Sequence, residues 1–345
     1  LCYTKHLETT LPIADKMQPY PLVFSPIYKE RIWGGQGLRT FLNKDIPQGQ
    51  IGESWELSGV EGSVSTVSNG LYQGLSLNDL IEAFGAHLLG QSTIDRFGKA
   101  FPILIKFLDA KLDLSIQVHP SDELARERHD SFGKNEMWYI LHADPNAKLI
   151  VGFKEGVDQE KYLNALREKR LTDLLEFHKV KPNDAFFIET GTIHAIGAGI
   201  VLAEIQQTSD VTYRVYDFDR TDEAGNKRAL HTELAKDALN YDHKTTYKLK
   251  PETTAEATQA PFSTLAQTPY FSTNELCLES SIERDLAAND HFLIYLVVEG
   301  LAVFESAELP DLSVDAPVGT TILIPACCKK IRIHTNSCRL LEVFV

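Results

Sequence analysis

The 345-residue chain is short of three things, and each shortage excludes something. Its five cysteines (Cys2, Cys277, Cys327, Cys328 and Cys338) are odd in number and include no Cys-x-x-Cys pair, which argues against a disulfide framework and against a cysteine zinc site. A reducing cytoplasm is the simplest home for such a chain. No stretch approaches the roughly 20 apolar residues of a membrane-spanning helix. The most apolar run, Phe292 to Val298, has only the length of a strand. Positive charge is scarce too: 34 Lys and Arg stand against 48 Asp and Glu, a formal net charge of −14 at pH 7. Such a surface repels phosphate backbones, so nucleic acid is not expected as a partner, and a small anionic substrate needs a local basic pocket. No membrane association and no obligate protein partner are expected either.

What is present is a globular composition, 43% hydrophobic and 24% charged, on a chain long enough for two or three cores. Residues 1–16 mix charges with a proline break and hold no apolar stretch of signal-peptide length, so they are read as an extension outside the fold. From Leu22 onward the pattern is of short β segments punctuated by Gly, Pro, Asn and Asp. Ser76-Leu77-Asn78-Asp79 reads as a helix start, and Leu77, Leu80, Ile81, Phe84 and Leu88 then share one helical face within an insertion over 76–97. Further helices are expected after Ser121, as a pair over 158–176 (one stripe at Tyr162, Leu163 and Leu166, another at Leu174 and Leu175), and after Thr232. These make a small helical layer on a β core. Residues 248–260 are rich in Thr and Ala and suit a linker between a unit at 17–247 and one at 261–345. The two units echo each other: residues 135–141 align on 291–297 and 184–191 on 319–326, which sets Glu136 against Phe292 and His194 against Lys329. If the β unit is repeated, the chemistry belongs to the first copy.

The densest chemical signal is Ser115-Ile116-Gln117-Val118-His119-Pro120. On a strand, side chains two apart share a face, so Ser115, Gln117 and His119 point together. Glu136 stands at the charged start of an apolar strand, and His194 follows the strand 185–188 in a glycine-punctuated turn. Two imidazoles, a carboxylate and an amide oxygen form a mixed N/O set suited to Zn²⁺ or another borderline divalent metal. Downstream, Arg214 lies on a strand between aromatics. It is read either as a surface arginine stacked on tyrosine or as a pocket arginine ready for phosphate or for charge on an oxygen.

Together these motifs resemble a known family. Gln117-Val118-His119-Pro120, Lys134-x-Glu136, Gly191-Thr-Ile-His194-Ala-Ile-Gly197, and Glu204 with Arg214 ten residues on, are similar to the type I mannose-6-phosphate isomerases in their shorter bacterial form. The opening Phe24-Ser-Pro-Ile-Tyr-Lys-Glu-Arg-Ile-Trp-Gly-Gly35 and Gly52-Glu-Ser-Trp-Glu-Leu-Ser58 resemble it as well. The resemblance implies a mainly β, cupin-type architecture of two β-jelly-roll units, the second without metal ligands. It also implies one zinc per chain and interconversion of mannose 6-phosphate and fructose 6-phosphate. By position, Gln117, His119, Glu136 and His194 match zinc ligands, Arg214 matches the active-site arginine, and Lys134, Glu204 and Ser115 match pocket positions. Moving a proton between C2 and C1 through an enediol needs one shuttling base and a positive group near the oxygens. Glu204 and Lys134 both remain candidates for that base. Two other readings stand beside this one: a metal-bearing sugar-phosphate sensor without turnover, and an Fe(II) cupin dioxygenase.

Overall fold

The computed structural model describes residues 16–221, 224–251 and 262–345. Most of the N-terminal extension and of the Thr/Ala-rich linker lies outside these described residues. In chain order the first part holds β1 (Leu22–Val23), β2 (Ile27–Gly35), α1 (Gly37–Leu42), β3 (Ile51–Leu57), α2 (Leu77–Phe84), α3 (Ala86–Leu89) and α4 (Gln91–Phe97). It continues with β4 (Ile103–Ala110), β5 (Ile116–Val118), α5 (Asp122–His129), β6 (Glu136–Ala143), β7 (Lys148–Phe153) and α6 (Gln159–Arg167). Then come β8 (Leu175–Lys179), β9 (Ala185–Ile188), β10 (His194–Ile196), β11 (Ile200–Gln207), β12 (Tyr213–Tyr216) and α7 (Thr232–Ala238). The second part is all strand apart from one 3-10 turn: β13 (Phe262–Gln267), β14 (Ser272–Leu278), β15 (Ile282–Asp285), β16 (Leu293–Ser306), β17 (Val314–Pro317), β18 (Thr321–Ile324), β19 (Lys330–His334) and β20 (Cys338–Phe344).

The first unit is a sandwich of two antiparallel sheets, ordered β2-β3-β4-β11-β6-β9 and β12-β5-β10-β7-β8. Alternation along β6 assigns its residues to two cores. Trp138 and Ile140 face the other sheet of the unit, among Leu149, Val151, Ile196 and Leu202. Met137 and Tyr139 face outward, onto a core shared with Phe292, Ile294 and Leu341 of the second unit. Helices α6 and α7 cover the outer face of the five-stranded sheet through Tyr162 and Ala235.

The same strand order recurs in the second unit, where β13-β14-β20-β16-β18 repeats β3-β4-β11-β6-β9 and β15-β19-β16-β17 repeats β5-β10-β7-β8. The long β16 runs through both sheets and so does the work of β6 and β7. The internal echo is therefore a duplicated jelly roll, but its register differs by one residue from the alignment above. Trp138 and Tyr295 are the inward residues paired with β11 and β20, to Glu204 and Glu342 respectively. Glu136 thus corresponds to Leu293, which faces the interior of the second unit, and not to Phe292, which faces the shared core. Where β10 carries His194, β19 sends Ile331 and Ile333 inward.

Two local expectations change. Leu174 and Leu175 are not a helical stripe: α6 ends at Arg167, Lys169 takes a left-handed conformation (φ 56°), and a 3-10 turn at Leu171–Leu174 leads into β8. Leu175 is buried as a strand residue paired with Phe153. The insertion at 76–97 is three short helices and not one face, because Gly85 and Gly90 interrupt it. Its start is as expected, with the Ser76 hydroxyl accepting from the Asp79 N–H and the Asp79 carboxylate accepting from the Ser76 N–H.

Candidate metal centre and cationic cavity

The site lies between the two sheets of the first unit, at one end of their common core. From the five-stranded sheet, Gln117 on β5 pairs directly with His194 on β10 and with Arg214 on β12, so three polar side chains meet across three neighbouring strands. From the six-stranded sheet, Glu204 on β11 pairs with Lys106 on β4 and with Trp138 on β6, two residues beyond Glu136. Pro120 ends β5 just after His119, and the turn before His194 is tied to it by the Gly191 N–H donating to the His119 carbonyl at 2.9 Å. Gly191 has φ +83°, and a side chain there would also press on the Ala238 carbonyl, so the turn requires glycine.

His119, Glu136 and His194 are fully buried, and their ligand atoms lie within 4.8 Å of one another. The His119 Nδ1 faces the Val211 carbonyl at 2.9 Å and the His194 Nδ1 faces the Thr192 carbonyl at 2.8 Å. A carbonyl only accepts, so each Nδ1 carries the proton and each Nε2 turns a lone pair toward Glu136. The distances are 3.6 Å from His119 Nε2 and 3.4 Å from His194 Nε2 to the two carboxylate oxygens. Burial, reinforced by Lys134, holds His119 well below the ordinary histidine range, and burial brings His194 down to about 4, so both rings are neutral and ligation-competent. Glu136 Oε1 is buried without a hydrogen-bond donor. Gln117 places its amide 3.3 Å from His194 Nε2, and the two ends of an amide exchange by a half-turn. Lone pairs, a carboxylate oxygen lacking a donor and an adjacent amide form a donor set that suits a divalent cation. The Lys134 ammonium already contacts this set, donating to Glu136 and to His119 Nε2.

Beside the cluster opens a polar cavity of about 200 Å³ whose walls include Gln117, Lys134, Glu204, Ser115 and Arg214. Every residue singled out from the sequence therefore lies in the cluster or on this cavity. Burial raises the Glu204 carboxyl, but Lys106 and Lys134 outweigh it and hold the group down at about 2. Burial opposes the Lys134 charge, yet Glu136 and Glu204 keep its pKa above the ordinary value. Arg214 is half-buried, with Nε 3.3 Å from the Ser115 hydroxyl and Nη1 donating to the Ala229 carbonyl at 3.0 Å. The sequence reading gave no site role to the charged wall residues Arg31, Glu53, Lys106, Asp210 and Arg228. Lys106 is one of two charges, with Asp109, in the otherwise apolar and wholly buried strand β4. A larger apolar groove of about 880 Å³ runs along α6 and β12, between Leu166, Leu171, Val215 and Leu230, and holds none of the candidate residues.

Comparison with known proteins agrees with this geometry. Residues 22–148 match the family model for the catalytic domain of type I phosphomannose isomerase. The mannose-6-phosphate isomerase ManA of Bacillus subtilis is 38% identical over 288 residues, 82% of this chain and 87% of that protein. The chain belongs to the type I phosphomannose isomerases. A second member, the mannose-6-phosphate isomerase of Streptococcus mutans, is 38% identical over 289 residues, covering 82% of this chain and 85% of its own length. The crystal structure of the mannose 6-phosphate isomerase from Bacillus subtilis superposes with a TM-score of 0.83 at 33% identity, over 94% of this chain and 99% of that one. The cupin-type fold, mainly β with a small helical part, is thus shared with the family.

Proposed function

We propose that the protein interconverts mannose 6-phosphate and fructose 6-phosphate with one Zn²⁺ held by His119, Glu136, His194 and Gln117. The observation that carries this reading is the buried cluster of two neutral imidazoles and a carboxylate opening onto a cavity walled by Lys134, Arg214 and Glu204. Two N and two O donors favour a borderline divalent ion, which when bound supplies a Lewis acid at the carbonyl end of the sugar. The chain's own groups do the rest. We assign the transfer between C2 and C1, by way of an enediol, to the pair Glu204 and Lys134, 3.9 Å apart, with the ionised carboxylate as base and the ammonium as proton donor. Arg214, backed by the Ser115 hydroxyl, faces the sugar oxygens, where negative charge develops. Lys106 keeps the Glu204 carboxylate oriented from behind.

An apolar substrate of an Fe(II) dioxygenase would meet five cationic side chains in this cavity, so that reading is disfavoured. The free thiols of Cys277, Cys327, Cys328 and Cys338 suit a reducing compartment such as the cytoplasm. Among the described residues, no helix is long and apolar enough to cross a membrane. A coupled assay on mannose 6-phosphate, with chelator and then with Zn²⁺ restored, tests the proposal. Turnover lost to chelator and recovered with Zn²⁺ is expected; binding of the sugar phosphate without turnover would instead identify a sensor.

A further inference from the structure

Behind the strand that carries Arg214 lies the larger apolar groove. Successive side chains of β12 face opposite sides of its sheet, so Arg214 enters the polar cavity while Val215 forms part of the groove floor. Leu163 and Leu166 of α6, with Leu171 and Leu230, supply apolar walls, and at about 880 Å³ the groove has the size and lining of a small-molecule site. Leu230 remains 49% exposed within it. Four charged residues also line the groove: Arg167, Lys169, Asp219 and Glu233. Asp219 is paired with Lys227 at 2.8 Å and Glu233 with Lys236 at 3.1 Å. Arg167 reaches the Asn164 side-chain oxygen, and Lys169 lies near enough to Asp219 to lower its pKa, yet neither cation has a carboxylate within ion-pair distance among the described residues. The lining carboxylates are matched and the lining cations are not.

A short strap ties this groove to Arg214. Arg214 Nη1 donates to the Ala229 carbonyl at 3.0 Å, its backbone N–H donates to His231 Nδ1 at 3.1 Å, and the His231 N–H donates to the Arg214 carbonyl at 2.7 Å. Leu230, between those two residues, lines the groove. We propose that the groove is a regulatory site for a small amphipathic carboxylate, with its apolar body on Leu166, Val215 and Leu230 and its head group at Arg167 and Lys169. The charge of the occupant follows from the lining: an organic cation would be repelled by Arg167 and Lys169, and a neutral apolar molecule would gain nothing from them. Covering Leu230 removes apolar surface from water in the arrangement where Leu230 lies in the groove, which is the arrangement that holds Arg214. The occupant therefore favours the held Arg214, and by linkage a sugar phosphate bound in the cavity tightens the occupant in turn. The effect on turnover rests on the isomerase reading above; binding in the groove does not.

The test titrates the full chain calorimetrically with decanoate, decylammonium and decanol, and follows steady-state kinetics on mannose 6-phosphate with and without decanoate. One variant combines Arg167→Gln with Lys169→Asn, asparagine being suited to the left-handed backbone at that position, and a second is Leu230→Ala; melting temperature checks that both are folded. Decanoate is expected to bind roughly 10-fold more tightly than decanol or decylammonium, and to lose about that factor in the double variant. Saturating decanoate is expected to lower KM for mannose 6-phosphate roughly 5-fold in the wild type and to leave it unchanged in Leu230→Ala. Decanoate binding that is absent in the wild type, equalled by decanol, or undiminished in the folded double variant overturns the site. Tight binding with an unaltered KM overturns its regulatory role. A dimer seen in sedimentation and dissolved by Leu230→Glu would give the groove to a second copy of the chain, which also overturns the proposal. Absence of mannose 6-phosphate turnover in the wild type would fault the isomerase reading instead, and the calorimetric titrations, which need no turnover, would still judge the groove.

Discussion

Arg214 and Glu53 show how a single side chain separates chemistry from support. If Arg214 stabilises charge on the sugar oxygens, Arg214→Lys keeps the charge and loses the planar fork, and kcat is expected to fall roughly 10²- to 10³-fold. Zinc content and melting temperature should stay near wild type, and a normal kcat would remove Arg214 from the chemistry. Metal retention is a sharper residue-scale measurement. Elemental analysis after dialysis is expected to give one zinc per wild-type chain and none in a His119→Ala, His194→Ala double variant. Glu53 bears on acid stability. Burial pushes its carboxyl up, but Lys106 and Arg31 prevail and hold it below the ordinary 4.5. The unfolded chain therefore takes up this proton first as pH falls. The stabilisation is complete above about pH 4.5 and is lost on descending through the folded-state value, so Glu53→Gln should flatten the acid limb of urea midpoints measured from about pH 6 to about pH 3. Parallel acid limbs for the two proteins would reject this account.

At the scale of elements, β4 shows what the sequence leaves unread. Its apolar run was legible as a buried strand, yet Lys106 within it was not legible as a site residue, because its partner Glu204 lies 98 residues away on β11. Both side chains are under a tenth exposed, so Lys106→Met takes from the buried Glu204 its nearer cation and leaves Lys134 at 3.9 Å, and it is expected to cost about 3 kcal/mol in denaturant unfolding, more than loss of a surface pair would. Features that are local were legible: the Ser76 cap, the strand Ala185–Ile188, and the shared face of Gln117 and His119. Features decided by pairing were not. Leu174 and Leu175 fit a helical stripe as well as a strand start, and pairing of β8 with β7 chose the latter. The echo was found, but a one-residue slip exchanges the faces of a strand, and only the inward positions of Trp138 and Tyr295 set its register.

The whole molecule holds together through the core common to both jelly rolls, where Met137, Tyr139 and Phe107 meet Phe292, Ile294 and Val343. A chain ended at residue 251 would expose that face, and it is expected to aggregate or to lose cooperative unfolding. Among the described residues, the second unit gives no side chain to the cluster or to its cavity. Burial pushes its Cys327 and Cys328 thiols up to about 11 and about 12, and replacing both with serine should leave kcat and zinc content close to wild type. Strand β1 has a different kind of consequence. It pairs Leu22 with Leu323, so the sheet edge it completes is translated about 300 residues after it. At roughly 5–20 residues per second, β1 waits on the ribosome for something like 15–60 s before its partner emerges. During that interval the nascent chain carries an unmatched strand, a natural binding point for chaperones, and closure of β1 onto β18 becomes a late step of biogenesis.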